Sequence, residues 1–145
     1  MKHEIHCKWL DTVAFQAEDD SGHKIIIEAG RKFGGKNRGF LPKPLLLVSL
    51  AGCMGIDVIC LLDKMEITLT DFNIRAIGEM NDAQPRYYHK IHLVYEFEGE
   101  ELPIDQVEKA VYLSKEKYCN VSALLSKGAD ITHEIKIMES KSSTE

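Results

Sequence analysis

Four cysteines, six histidines and a basic, glycine-rich stretch hold most of the chemistry open to this sequence. Cys53 lies in Ala51-Gly52-Cys53-Met54-Gly55, with small residues on both sides of the thiol. Glycine inside a helix costs up to about 1 kcal/mol relative to alanine, so two of them here imply close approach by another backbone or a substrate. Cys119 stands in Glu116-Lys117-Tyr118-Cys119-Asn120-Val121-Ser122, where helical periodicity breaks. A thiol at a helix start or beside lysine ionises more readily, which makes Cys119 a second redox candidate. Spacing alone leaves open whether the two thiols meet. Cys60 follows Cys53 by two helical turns, about 10 Å at 1.5 Å per residue, too far for an easy disulfide. Its neighbours Val58, Ile59, Leu61 and Leu62 predict a core position.

The histidines offer less. His3 and Cys7 fall on one face of a strand, but a lone pair of ligands makes a weak metal site. His89 and His92 are three apart in a strand and point to opposite faces. No bound metal is expected. Gly30-Arg31-Lys32-Phe33-Gly34-Gly35-Lys36-Asn37 has the GxxxxGK spacing of a phosphate-binding loop. Such a loop needs Ser or Thr next, then a helix facing the phosphates. Asn37 and the run to Pro42 supply neither, so the stretch reads as a mobile surface loop whose arginines can reach a neighbouring site.

These side chains need elements to position them. Ile5-Cys7-Trp9 and Val13-Phe15-Ala17 alternate, Asp19 to Gly22 reads as a turn, and Lys24 to Glu28 is β-branched, so the first third predicts a three-stranded meander. Leu45 to Lys64 predicts a long helix opened by Pro44, where a missing N–H costs little. Leu45 to Leu62 carries a single charge, Asp57. That length touches the threshold for a membrane span, but a central Asp costs about 2.5–3.5 kcal/mol there. A buried helix, apolar nearly all round, is expected instead. One small sheet covers one side of it; the rest needs another sheet segment, another helix or a second subunit.

Ile67 to Ile74 alternates with a bulge before Phe72, and Asn81 to Pro85 reads as a turn. Tyr87 to Phe97 predicts a long strand, and Ile104 to Tyr118 an amphipathic helix capped by Asp105. A short helical turn then stops at Gly128, and Ile131 to Ile137 closes the pattern as a strand. Strands in groups and single helices predict an α+β fold with helices on an antiparallel sheet. The 145 residues fit one domain, residues 1–139, with a polar tail, 140–145, expected to be disordered. A net charge of −5 argues against nucleic-acid binding, which needs a basic face. The charged N-terminus lacks the apolar core of a signal peptide, so a cytoplasmic location without membrane association is expected.

Pro42-Lys43-Pro44-Leu45-Leu46-Leu47, Leu50-Ala51-Gly52-Cys53, Ile56-Asp57-Val58 and Glu116 to Ala123 resemble the OsmC/Ohr superfamily, in particular its small OsmC-like branch. The resemblance runs in order along nearly the whole chain. It implies an intertwined homodimer with central helices buried between sheets. It also implies a thiol-dependent reductase of organic hydroperoxides: Cys53 the peroxidatic thiol, Cys119 the resolving one, and no bound cofactor. An external dithiol, of lipoyl type or similar, would restore the pair by exchange. Arg38 or Arg31 would supply the cation that stabilises the thiolate. Where family peroxidases carry a glutamate that holds the arginine, this chain has Lys43 and Pro44. Glu28 and Asp57 are the carboxylates left for that part. The competing expectation is a non-catalytic or redox-sensing, small-ligand-binding protein on the same fold.

Overall fold

A computed structural model describes residues 1–140. The chain gathers into two compact units, Met1–Leu46 and the residues from Leu47 onward.

In the first unit, β1 (His6–Asp11), β2 (Ala14–Glu18) and β3 (Lys24–Glu28) form the expected antiparallel meander. Trp9 pairs with Phe15 and Phe15 with Ile27. The Asp19 carboxylate accepts the N–H groups of Ser21 and His23 at 2.9 Å and so closes the β2–β3 turn. After β3, the glycine-rich stretch makes a 3-10 turn at Arg31–Phe33, and Phe40 then pairs with Ile27. The stretch is therefore not the mobile loop that its composition predicts. Phe40 donates to Ile26 O at 3.1 Å, and Glu28 donates to Phe40 O at 2.9 Å. Gly35 and Gly39 lie so close to the Ala29 and Ile26 carbonyls that neither site has room for a Cβ.

The long helix α1 (Pro44–Lys64) begins at the end of this unit and runs through the second. Leu50, Met54, Val58 and Leu62 recur every four residues as its buried stripe. They join Ile91, Leu93, Tyr95 and Phe97 of β5 (Tyr88–Gly99) and Val107, Ala110 and Val111 of α2 (Ile104–Leu113) in one core. β5 is the centre of a three-stranded sheet between β4 (Asp71–Met80) and β6 (Asp130–Glu139). Phe72 of β4 stacks on Phe97 with ring centroids 4.5 Å apart.

The α+β class holds, with three differences of detail. β6 runs parallel to β5, because the helical segment between them carries the chain back across the sheet, as a parallel connection requires. Ile67 and Leu69 precede β4 rather than belonging to it: Glu66 adopts a positive φ of 60° and Ile67 donates to Leu62 O at 2.9 Å. The parity change before Phe72 is thus the start of a strand, and the bulge sits at Glu79/Met80. Asp105 falls within the first turn of α2, whose N-cap is Pro103. Ser140, the first residue of the expected tail, donates to Gly99 O at 3.1 Å; residues 141–145 lie outside the described residues.

Candidate active site

α2 does not continue to Tyr118. Its last regular residue is Leu113, and Ser114–Tyr118 form a wider π turn closed by Cys119 N–H on Ser114 O at 2.7 Å. Single π turns often mark functional sites, and this one delivers Cys119. The buried Ser114 hydroxyl ties the turn to α1, donating to Met54 O at 3.3 Å and lying 3.4 Å from Asp57 Oδ2. Cys119 then caps α3 (Asn120–Leu125), its sulfur accepting the Ser122 N–H at 3.2 Å.

The result is a contact between the two candidate thiols, with Cys119 Sγ donating to Cys53 Sγ at 3.0 Å. A disulfide is about 2.05 Å long, so the pair closes by a movement of about 1 Å. Cys119 is 3% exposed and Cys53 half-buried. Burial, and next the hydrogen bond to Cys53, push the Cys119 thiol up to about 12, against the opposing pull of the Ser122 N–H. This overturns the expectation of a readily ionised Cys119: enclosure outweighs the helix start. Lys117 sits over the Tyr118 ring at 5.3 Å from its centroid. Beneath the pair, Tyr95 donates its hydroxyl to Met54 Sδ at 3.5 Å, and burial raises its pKa.

On its other side α1 borders an apolar groove of about 610 Å³, lined in part by Val48, Gly52, Gly55, Ile56, Phe72 and Ile74. Gly52 faces open space, while Gly55 meets Ile74 Cδ1, 3.0 Å from where a Cβ would stand. No backbone of this unit crowds Gly52. Cys60 is exposed on this side, not in the core, because it lies off the stripe from Leu50 to Leu62.

Both candidate arginines belong to the first unit. Arg38 reaches Asp11 Oδ1 at 2.7 Å and Glu28 Oε2 at 2.8 Å. Glu28, 1% exposed, also accepts the backbone N–H groups of Lys36 and Arg38 at 2.9 and 3.0 Å. Its carboxyl is held at about 2, chiefly by the Arg38 guanidinium. An arginine–carboxylate pair therefore exists although Lys43 and Pro44 replace the usual glutamate. Arg31 is exposed in the 3-10 turn and makes no ion pair among the described residues.

Cys7 is exposed on β1, and His92 engages Thr132 and Glu134 at 2.7 and 3.1 Å. Among the described residues, the donors close enough to share an ion are Cys53, Asp57 and Cys119. Asp57 had a signal in the sequence, the lone charge one turn after Cys53; Ser114 had none.

A family model described as OsmC-like protein matches residues 34–134. The chain is 32% identical to Protein YhfA of Escherichia coli K12 over 137 residues, 93% of this chain and 98% of the relative. A hypothetical protein from Aquifex aeolicus VF5 superposes with TM-score 0.84 at 26% identity, over 97% of this chain and 99% of its own. The organic hydroperoxide resistance protein OhrB of Bacillus subtilis shares the fold at 16% identity, with TM-score 0.67 over 94% and 98% of the two chains.

Proposed function

Because the chain belongs to the OsmC-like protein family, we propose that it is a thiol-dependent organic hydroperoxide reductase using Cys53 and Cys119. The observation that carries this reading is the 3.0 Å contact between their sulfurs. Cys53 thiolate attacks the terminal peroxide oxygen; the O–O bond breaks, the organic part leaves as an alcohol on taking a proton, and Cys53 becomes a sulfenic acid. Cys119 sulfur then attacks Cys53 sulfur, an S–S bond replaces the S–O bond, and water leaves. An external dithiol reduces the disulfide by exchange. Of the two candidate arginines, Arg38 is the one held in place, by Asp11 and Glu28 of its own unit.

The apolar side of α1 suits a second copy of the chain, so a homodimer is part of this proposal. A cytoplasmic location is another part, since four free thiols stay reduced there. The second reading, a redox sensor with slow turnover, is favoured by the same Arg38 contacts: two carboxylates already answer its single charge.

Purified protein is expected to consume cumene hydroperoxide with dithiothreitol as reductant, and Cys53→Ser to abolish consumption. Stoichiometric peroxide should leave a Cys53–Cys119 disulfide by peptide mass spectrometry. No consumption, with the disulfide still forming, selects the sensor; oxidation confined to Cys7 or Cys60 removes both readings.

A further inference from the structure

Asp57 is the single charge between Pro44 and Leu62, and the peroxide reaction above assigns it no task. Residues i and i+4 share a helix face, so its carboxylate stands one turn beyond Cys53. A carboxylate oxygen of Asp57 and the sulfurs of Cys53 and Cys119 all lie within 4.8 Å of one another. Two outer contacts orient these donors: the Ser114 hydroxyl on Asp57 and the Ser122 N–H on Cys119. Two thiolates and a carboxylate with such supports match a three-ligand zinc site whose fourth position is open. Sulfur donors select zinc-like ions over magnesium and calcium.

We propose that the reduced protein binds one Zn²⁺ through Cys53, Asp57 and Cys119. Sulfurs on one tetrahedral ion stand about 3.7 Å apart, given Zn–S bonds of about 2.3 Å. From 3.0 Å the pair opens by less than ~1 Å, within the reach of a small side-chain rotation. Binding exchanges two thiol protons for the ion. The disulfide excludes it, because each sulfur is then bonded to the other. Zinc therefore caps the reduced pair, and two-electron oxidation of the two thiolates by a hydroperoxide, which takes two protons from solvent, releases it and yields disulfide, alcohol and water. The proposal rests on the meeting of three side chains and not on peroxide turnover.

Co²⁺ is the spectroscopic probe. The full chain, with Cys7 and Cys60 replaced by serine to remove the exposed thiols, is reduced and titrated without oxygen. One equivalent should give thiolate-to-cobalt charge-transfer absorption that Zn²⁺ displaces. Asp57→Asn should weaken Co²⁺ at least tenfold while keeping the absorption, Cys119→Ser should lower its intensity per ion, and diamide-oxidised protein should show none. Absence of the band in reduced protein, its persistence in oxidised protein, or indifference to Asp57→Asn overturns the site. Peroxide consumption by metal-free protein is assayed separately. A normal cobalt titration without turnover supports this site while removing the peroxidase reading, and turnover without a cobalt band does the reverse.

Discussion

In the reduced pair, burial and the hydrogen bond to Cys53 push the Cys119 thiol up, and burial persists once Cys53 is a sulfenic acid, so the protonated form prevails near neutrality. Thiolate is the attacking species in disulfide formation, and below the pKa its fraction grows tenfold per pH unit. The Cys53 sulfenic acid should therefore live longest at low pH and shorten steadily as pH rises, read by trapping with dimedone. A lifetime indifferent to pH would mean that another group takes the Cys119 proton during attack. Glu28 has the opposite sign. Its carboxyl falls from an ordinary 4.5 to about 2, so its contribution to stability is complete above about 4.5 and drains away as pH falls toward about 2. Wild-type protein should lose stability across that acid window in urea titrations, and Glu28→Gln should be weaker above it and flatter within it. At this scale the thiols were legible because glycines flank one and a helix break holds the other. Their pairing was implied by the family resemblance but not by spacing, because the turn that delivers Cys119 is tied down by Ser114, one serine among many until the π turn puts it against Met54. Nor was Cys60, whose apolar neighbours disguise a position off the buried stripe.

Elements obeyed local rules wherever one face decides the outcome. β5 and the first meander appear where alternation puts them, and α1 appears where a long apolar run opened by Pro44 puts it. The direction of β6 did not follow, because alternation is the same whether a strand arrives parallel or antiparallel; the length of the returning crossover decides it. The glycine-rich stretch misled for a related reason. Glycine marks mobile loops and close backbone approaches alike, and here Gly39 is packed against the Ile26 carbonyl while Phe40 pairs with Ile27. Gly39→Ala should therefore cost roughly 1–3 kcal/mol, the usual range for forcing atoms into filled space, measured by urea denaturation. Gly128→Ala is the matched control, since nothing in the chain lies near that site. It should leave stability unchanged or raise it slightly by reducing the freedom of the unfolded chain.

For the molecule as a whole, the unanswered demand is the outer side of α1. Only 22% of its most apolar eighteen-residue stretch is buried within the chain, with Val48 at 49%, Ile59 at 45% and Ile56 at 67% exposed. The helix is long and apolar enough to cross a membrane by length and composition, but its other side is the core of the second unit and it carries Asp57 at mid-length. The proposed second copy would satisfy that face with least change. Gly52 faces open space and would let another helix approach closely, and two-fold symmetry would repeat every buried side chain on the partner. Burying an exposed isoleucine contributes roughly 1.5–3 kcal/mol, so Ile56→Asp removes that gain twice and adds two carboxylates to an apolar contact. Wild-type protein should sediment as a dimer at micromolar concentration, without detergent, and Ile56→Asp as a monomer with unchanged far-ultraviolet circular dichroism. A wild-type monomer removes the dimer; recovery only in detergent would give α1 to a bilayer instead.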